Sequence, residues 1–547
     1  MSTNCERNDN RQFYPSIFND VLGPVTQGPS SSNTVGPYRI GRLARDMVRG
    51  KIKSVEFEMS EKGGFKDTFF SMDSDKGLLS GILGRDIIND DLNDVYRIAE
   101  EEGLKYSFTF SDRIQSIPSE VGELRIVSEV GSETGSGAEN SALPENSAEP
   151  GKVEELTLTG ISLGGGEILI TEVNGEKTNI TGREEMQFTP AGFSAGMASA
   201  PLQSDASTGG AEKSGERVLH SVYPFNMKKD AKPPFTNSEE LALYAKLPEN
   251  EGRPLYEIAI DYETSVTECS REDVLLRAEK MLDLQYKAIE KGYEEGIKFD
   301  GITTAKAAGI KKLMNGVKSR EAQSAMSQDA QNAASREPQS REAQNVDARR
   351  LIPSGITDEA GLDALSLMEY SNSHGIICCM PTGGATGIIP SAIKGASKAL
   401  GLTKQEEIQA LIVSGLIGVF YYESHYSGSL GCQAEVGIAT SMAAGALCSM
   451  LTNDIDKIEA ASVLAMECLL GQVCDPIGGY VQIPCFIRNV ASVSIATTCA
   501  NYGVLGLESG VNLDEISKAV IRVGEGLRRT RLNDQGTCAC NMLKNII

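Results

Sequence analysis

The sequence predicts an α+β protein of more than one domain, in which an N-terminal α/β domain is followed by a largely all-α domain. The 547 residues, of which 40% are hydrophobic, suffice for at least two cores. Strand and helix patterns alternate in the first third of the chain, whereas later patterns are almost all helical. Between them lies a polar region rich in Gly, Ser and Ala, at about 183–216. We therefore expect domains at 10–182 and 251–547, joined by a linker at 183–250.

The N-terminal domain is predicted from segments with two different periods. "KSVEFEMS" at 53–60 alternates apolar and polar residues like a half-buried strand, and "DDLNDVYRIAEEEG" at 90–103 has helical spacing. "GELRIVSEV" at 122–130 and "EELTLTGISLGGGEILITEVNG" at 154–175 are typical of strands that glycine turns connect. This mixture predicts a sheet with helices packed against it.

The C-terminal domain is predicted from long segments rich in Ala and Leu. These are "SREDVLLRAEKMLDLQYKAIEKGYEEG" at 270–296, "KQEEIQALIVSGLIGVFYY" at 404–422, "CQAEVGIATSMAAGALCSML" at 432–451 and "KIEAASVLAMECLLGQ" at 457–472. Several are apolar on nearly every side, as is typical of helices buried inside a large bundle.

Two other segments have a composition that predicts flexible insertions. Residues 131–150 contain "ENSA" twice, and residues 313–350 contain "SREAQ" twice and "SREPQ" once. Both lack the apolar residues whose burial offsets the entropy cost of ordering a chain. We expect neither to belong to a core.

Charge and cysteine content restrict the class of partner and the compartment. The net charge of −23 repels phosphate backbones and anionic lipid head groups, so we expect neither nucleic acid nor membrane as a partner. The start "MSTNCERNDNRQ" lacks a secretory signal, and no apolar run is long enough to span a bilayer, which predicts a cytoplasmic protein. In that compartment the twelve cysteines are expected to be core residues, catalytic groups or metal ligands rather than disulfides.

Three of these cysteines, Cys432, Cys474 and Cys485, lie in glycine-containing segments around helix starts. Zinc is disfavoured, because the spacings of 41 and 10 residues differ from paired zinc motifs and no histidine is close to the last two. Three thiolates on separate loops suit an iron–sulfur cluster whose fourth iron stays open. From the spacing alone, small buried hydrophobic residues, the commonest role of free cysteine, are the favoured interpretation.

Five motifs together resemble the iron–sulfur-dependent L-serine dehydratases, in the same order along the chain: "QGPSSSNTVGPYRIGRLARD", "LTGISLGGGEILITEVNG", "CMPTGGATGIIPSAI", "GCQAEVGIATSMAAGAL" and "CDPIGGYVQIPCFIRN". The resemblance implies that the two domains correspond to the β and α domains of that family, fused in one chain. It also implies that Cys432, Cys474 and Cys485 of the helical domain bind a [4Fe–4S] cluster.

The resemblance further implies the activity and the substrate site. The expected reaction is dehydration and deamination of L-serine, a small amino acid, to pyruvate and ammonia, by a protein that we expect to be a homodimer. An open iron would act on the substrate as a Lewis acid. Glycine- and serine-rich turns form anion-binding concavities, and two such turns would hold the substrate carboxylate. The residues are Ser30, Ser31, Ser32, Asn33, Thr34, Thr382, Gly383 and Gly384.

The chain departs from the family where the family carries histidines. Asn33 stands in place of one, and "SMDSDKG" at 71–77 and "SIPSEVG" at 116–122 replace the segments that carry two more. His425 and His374 are therefore the candidate catalytic bases, with His425 preferred because it precedes Cys432 by seven residues. Asp73 and Lys76 are further candidates, although both are expected to be solvated, and the third histidine, His220, lies elsewhere. Cys538 and Cys540 are candidates to cap the open iron.

Three alternatives stay open or are disfavoured on the residues. A related cluster-dependent lyase for another small amino or hydroxy acid, and a catalytically silent paralogue, are both compatible with the lost histidines. A pyridoxal-dependent dehydratase is disfavoured, because no lysine motif for a Schiff base is present and the "SLGGGE" glycines fall in a strand-turn-strand pattern.

Overall fold

The computed structural model describes residues 13–114, 120–129, 153–183, 186–189, 192–195, 217–219, 221–315 and 355–529. Its strands are β1 (Val25–Gln27), β2 (Lys51–Ser60), β3 (Lys105–Ser111), β4 (Glu120–Glu129), β5 (Val153–Gly164), β6 (Glu167–Val173), β7 (Glu176–Ile180), β8 (Met186–Thr189), β9 (Gly192–Ala195), β10 (Arg217–Leu219) and β11 (Ile376–Cys378). The first helices are α1 (Gly36–Met47), α2 (Phe65–Thr68), α3 (Ser74–Ile82), α4 (Val95–Glu101), α5 (Ser238–Ala245), α6 (Leu255–Val266) and α7 (Arg271–Gly292). The later ones are α8 (307–315), α9 (Ile356–Asn372), α10 (Ile388–Leu400), α11 (Lys404–Val419), α12 (Val436–Ser449), α13 (Ile455–Glu467), α14 (Cys485–Val504) and α15 (Leu513–Arg529).

A six-stranded mixed sheet organises residues 36–180, which we call the sheet unit. Its strand order is β3-β2-β4-β5-β6-β7, with β2 and β3 parallel and the other neighbours antiparallel. Val55, Phe57 and Met59 alternate along β2 into one apolar core with residues of α1 and α3. The predicted strand at 53–60 and the predicted helix within 90–103 are therefore confirmed, as parts of β2 and as α4.

Helices α5 to α15 and strand β11 form residues 238–529, which we call the helical unit. At its centre, α12 packs against α10, α11, α13 and α14. Every residue of α12 from 436 to 448 is buried, since its sequence "VGIATSMAAGALCS" contains no charge and many small side chains. The α+β class is confirmed, and in the part of the chain that is described no helix is both long and apolar enough to cross a membrane.

The segment before α1 packs with the helical unit rather than with the sheet. Ile17 and Phe18 are buried in the same core as residues of α11, and β1 pairs antiparallel with β11. The buried carboxylate of Glu263 on α6 accepts hydrogen bonds from Ser16 Oγ at 2.6 Å and from Ile17 N at 2.7 Å. We had assigned this segment to a domain at 10–182, but its apolar side chains are buried by helices that follow more than 200 residues later.

The region that we expected to be a linker, 183–250, contains ordered elements where it is described. Strand β8 pairs with β9 and β10, and α5 begins at the side-chain cap of Asn237. Arg183, Tyr223 and Phe235 are buried. Composition alone did not reveal this, because Arg183 is buried through ion pairs with carboxylates from distant segments. The expected insertion at 131–150 lies outside the described residues, as does that at 313–350 beyond its first three residues, which end α8.

Candidate active site at the junction of the two units

Cys432, Cys474 and Cys485 come together from three segments of the helical unit. Cys432 begins a short helical turn before α12, Cys474 lies in the loop after α13, and Cys485 is the first residue of α14. Burial raises the pKa of all three thiols, to about 12 for Cys432. The other two thiols raise the pKa of Cys474 further, and Cys432 does so for Cys485. Arg488, three residues after Cys485, donates to Val473 O beside Cys474, so these two segments are in direct contact.

The loops that carry Cys432 and Cys474 are joined by the buried side chain of Gln433. Gly471 N donates to Gln433 Oε1 at 2.7 Å, while Gln433 N donates to Gln472 O at 3.3 Å. Gln433 Nε2 also donates to Leu430 O and Val520 O, both at 2.8 Å. This amide satisfies backbone groups on both loops and so fixes the separation of the two cysteines.

Two charged residues, Arg488 and Glu435, lie beside the thiols. Arg488 on α14 donates from Nη1 to Val473 O at 3.1 Å and pairs with Asp475 at 2.6 Å, and its charge lowers the pKa of Cys432 against the effect of burial. Burial raises the pKa of Glu435 to about 7. A Cβ atom at Gly428 would lie 3.2 Å from Glu435 Oε2 and 3.6 Å from Cys474 Sγ, which places that carboxylate next to the cysteines.

The chemistry of the donor set, three cysteine thiols, is that of iron–sulfur cluster ligands. Within the described ranges, no three His, Cys, Asp or Glu side chains converge as ligands of one ion do. A cluster instead spreads its thiolate ligands over several irons, so its sulfur ligands need not meet at one point. Three thiols on separate loops, two of them part-exposed, match that requirement.

The turn with Thr382, Gly383 and Gly384 is attached to the start of α14. Asn489 Nδ2 donates to Gly384 O at 2.8 Å and to Cys485 O at 2.9 Å. A Cβ atom at Gly384 would lie 3.8 Å from Glu435 Oε1. The structure therefore brings this predicted substrate turn next to the predicted cluster ligands.

The second predicted turn, Ser30 to Thr34, is buried and packs against the first. A Cβ atom at Gly383 would lie only 2.7 Å from Pro29 O, so the two turns approach as closely as glycine allows. The hydroxyls of Ser31 and Thr382 are buried without a hydrogen bond of regular geometry in the described structure, although they lie near Cys379 and Glu435. Buried hydroxyls of this kind gain free energy when a ligand supplies the missing partner.

Asn33 connects this turn to the sheet unit. Its Oδ1 accepts hydrogen bonds from Thr68 Oγ1 at 2.8 Å and from Ser74 Oγ at 3.4 Å. Three residues after Thr68, Ser71 Oγ donates to Gly479 O at 3.0 Å, in the loop between Cys474 and Cys485. Asn33 thus lies where the units meet, and the carbonyl of its amide is already engaged.

His374 contacts the sheet unit through Asp73. His374 Nε2 lies 2.8 Å from Asp73 Oδ2, and Lys76 Nζ lies 2.7 Å from Asp73 Oδ1. The expectation that Asp73 is solvated is wrong: it is buried, and Lys76 is only part-exposed. Burial alone would raise the pKa of Asp73, but His374 and Lys76 outweigh it and lower that pKa below its usual value. His374 and Asp73 both have left-handed backbone, with φ of 60° and 55°.

His425 contacts the sheet unit through Glu167. His425 Nδ1 lies 2.6 Å from Glu167 Oε2, and 37% of the His425 side chain is exposed. Three residues after His425, Gly428 borders Cys474 and Glu435. Each of the two described histidines therefore pairs with a carboxylate of the sheet unit, whereas His220, Cys538 and Cys540 lie outside the described residues.

Sequence analysis missed four charged groups of this region. Glu435 and Arg488 each follow a predicted cluster ligand by three residues within the quoted motifs, so this spacing was an available signal. Glu167 and Arg183 gave no such signal. Besides each other, they pair with distant residues: His425 follows Glu167 by 258 positions, and Asp20 precedes Arg183 by 163.

The C-terminal half of the chain resembles known proteins. Residues 249–533 match the family model of the serine dehydratase alpha chain. A probable L-serine dehydratase alpha chain from Bacillus subtilis (strain 168) is 27% identical over 282 residues, which cover 51% of this chain and 83% of that protein. Its counterpart from Latilactobacillus sakei is 36% identical over 174 residues, 31% of this chain and 83% of the relative. An L-serine dehydratase from Streptomyces coelicolor is 34% identical over 214 residues, 37% of this chain and 47% of the relative.

Proposed function

Since this chain belongs to the iron–sulfur L-serine dehydratase family, we propose that it converts L-serine to pyruvate and ammonia. The observation that carries the proposal is the meeting of three elements at one junction. The three cysteines, the turn at 382–384 and the turn at 30–34 come from distant parts of the chain, yet they are joined by direct contacts. The relatives are themselves named for L-serine as their substrate.

Cys432, Cys474 and Cys485 would hold a [4Fe–4S] cluster. When bound, such a cluster supplies a Lewis acid for the oxygen atoms of the substrate and for the hydroxide that leaves it. Gln433 keeps two of the ligand loops at a fixed separation, and Asn489 ties the third ligand to the substrate turn. The chain itself contributes the fixed positions of these loops, which are established before the substrate binds.

The two turns would orient the substrate through its carboxylate. Backbone N–H groups of glycine-rich turns, with the hydroxyls of Ser31 and Thr382, offer hydrogen-bond donors to an anion. Their burial excludes water, which strengthens each of these bonds. A carboxylate held here would leave the α-carbon and the β-hydroxyl of serine facing the cysteine side of the junction.

We assign removal of the α-proton to His425. Asn33 cannot serve, because a neutral amide is not a base at neutral pH and its carbonyl is engaged by Thr68 and Ser74. The His425 ring is part-exposed, and its loop reaches Cys474 within three residues. Loss of the α-proton and of the β-hydroxide gives aminoacrylate, which tautomerises to an imine that water hydrolyses to pyruvate and ammonia.

Anaerobic purification of the full chain, reconstitution with iron and sulfide, and a pyruvate assay with L-serine test the proposal. Parallel assays of the 2-oxo acid product with D-serine, L-threonine and L-cysteine define the substrate. We expect turnover with L-serine and broad visible absorbance that fades in air. Turnover of another substrate alone would favour the related lyase, and a loaded protein inactive with every substrate would favour the silent paralogue. Both results would overturn the serine assignment.

A further inference from the structure

We propose that Glu167 is a positioning residue that orients the His425 ring so that Nε2 is the nitrogen able to accept a proton. The inference deepens the proposed function, on which it rests for the role of His425. It concerns a carboxylate of the sheet unit that acts on a side chain of the helical unit.

Glu167 is held by several donors at once. It is the first residue of β6, only 9% of its side chain is exposed, and its Oε2 contacts His425 Nδ1 at 2.6 Å. Its Oε1 accepts hydrogen bonds from Tyr422 OH at 2.5 Å and from Arg183 Nη2 at 2.8 Å. Both oxygens are thus engaged, and the carboxylate cannot rotate without losing contacts to charged or buried groups.

Arg183 is itself immobilised behind Glu167. It pairs with the buried carboxylate of Asp20, and its guanidinium lies 4.6 Å and 4.4 Å from the ring centroids of Phe13 and Tyr223. Burial alone would raise the pKa of Glu167, but His425 and Arg183 outweigh burial and hold that pKa far below its usual value. Glu167 is therefore ionised at neutral pH and can only accept hydrogen bonds.

The ionised carboxylate decides which nitrogen of His425 carries a proton. Because Glu167 only accepts, Nδ1 must donate, and in the neutral ring the lone pair then belongs to Nε2. The ring also packs edge-on against Tyr422, with centroids 5.6 Å apart. One hydrogen bond and one ring contact together fix both the tautomer and the plane of the imidazole.

The backbone conformations at His425 and at Gly164 allow the loop of His425 and the turn before Glu167 to approach closely. His425 has left-handed backbone with φ of 50°, and a Cβ atom at Gly164 would lie 2.4 Å from His425 O. Only glycine at 164 allows the turn before Glu167 to press against the loop of His425. A left-handed backbone at a non-glycine residue is strained, and it persists only where the surroundings enforce it.

The tautomer can be measured directly, because the chain contains only three histidines. The full chain, labelled with ¹⁵N-histidine and reconstituted anaerobically, would be compared with Glu167→Gln, Glu167→Asp and His425→Ala, the last of which assigns the His425 signals. We expect a protonated Nδ1 and an unprotonated Nε2 for neutral His425, and a mixture of tautomers in Glu167→Gln. Glu167→Asp keeps the charge and should recover part of the parent pattern.

Kinetics with L-serine give the second readout. Glu167→Gln should lower kcat by about 10- to 100-fold, as expected for a misplaced catalytic group, with KM changed by less than about twofold. Glu167→Asp should recover part of kcat. Glu263→Gln is the matched control, since Glu263 is also buried and hydrogen-bonded but contacts Ser16 and Ile17 rather than a histidine. It should retain both the tautomer and kcat.

The outcomes separate this inference from the proposed function. An unchanged His425 tautomer in Glu167→Gln, or an equal loss of kcat in Glu263→Gln, would overturn the role of Glu167. Absence of lyase activity in the loaded parent protein would overturn the proposed function, while the tautomer measurement would still decide whether Glu167 orients the ring.

Discussion

We expect the cysteines of this chain to serve two different purposes, and two variants distinguish them. Cys474 lies among other thiols in a part-exposed loop, whereas Cys448 on α12 is buried in an apolar core, where its thiol contacts Lys457 O at 3.5 Å. We expect Cys474→Ser to lose the iron and the visible absorbance of the reconstituted protein, because a serine hydroxyl is a poor substitute for a thiolate ligand. Iron analysis after anaerobic reconstitution measures this.

Cys448→Ser is the control for that experiment and should keep nearly the iron content of the parent chain. Equal iron in the Cys474 and Cys448 variants would contradict the assignment of the ligands. Stoichiometric zinc without iron in the anaerobic parent protein would contradict it as well.

Glu263 makes stability depend on pH. Burial raises its pKa to about 7, above its ordinary value of 4.5, so between these values the folded state binds more protons than the unfolded state. Stability therefore falls as pH rises through this window, by an amount on the order of 3 kcal/mol for this group. Glu263→Gln removes the titration, so the variant should lose less stability than the parent between pH 5 and pH 8.

Urea unfolding at several pH values measures the effect. Other carboxyl groups with raised pKa values that do not interact with Glu263, among them Asp75, Glu120 and Glu435, titrate in both proteins and cancel in the comparison. If the free energies of unfolding of the parent and the variant change equally with pH, the raised pKa of Glu263 is contradicted.

Among individual residues, local motifs identified the candidate cysteines and turns, but they did not identify the charged partners of the histidines. The cysteines and both turns come from motifs, and the structure brings them together. Asp73 and Glu167 could not be paired with His374 and His425 from sequence, because contacts over 301 and 258 residues depend on how the units dock.

Among the elements, the turn at 477–479, which lies between Cys474 and Cys485, contacts the sheet unit. Gly479 has φ of 79°, and a Cβ atom there would lie 2.5 Å from Asp67 O and 2.6 Å from Ser71 Oγ. Gly471 has a similar φ of 87° but no atom within 4 Å of its Cβ position. Left-handed backbone therefore destabilises both alanine variants. Only Gly479→Ala is also destabilised by a steric clash.

We expect Gly479→Ala to be about 1 to 3 kcal/mol less stable than Gly471→Ala. Urea unfolding of the two variants gives the difference, and their shared backbone cost drops out of it. Equal stabilities would mean that the helix carrying Asp67 moves away without cost.

Helices and strands could be predicted where the hydrophobic pattern of the sequence was long. They were missed where that pattern was interrupted. The apolar sequence of α12 and the capping box of α11, with Thr403 and Glu406, are local signals. Strands β8 to β10 were missed. Helix α5 was missed as well, because the backbone of its first residue is held by a distant partner, Asp514, which accepts from Ser238 across 276 residues.

On the scale of the whole molecule, the two units are fastened at several separate places. Residues 17–22 pack in the helical core, Arg183 links Asp20 to Glu167, and two histidines pair with carboxylates of the sheet unit. We expect both units to unfold in one cooperative transition, since opening either exposes these buried charges. Urea titrations read by hydrogen exchange at β4 and at α12 test this, and separated midpoints would contradict it.

The placement of residues 13–22 has a consequence for folding during synthesis on the ribosome. Ser16 emerges during synthesis 247 residues before Glu263, the side chain that it binds. At 5 to 20 residues per second, the segment waits roughly 12 to 50 s, while the whole sheet unit is made, before its partner exists. During that interval its buried face is a bare apolar peptide, the kind of stretch that chaperones capture. The helical unit can close only after translation has passed α11, although one of its pieces leaves the exit tunnel before the sheet unit does.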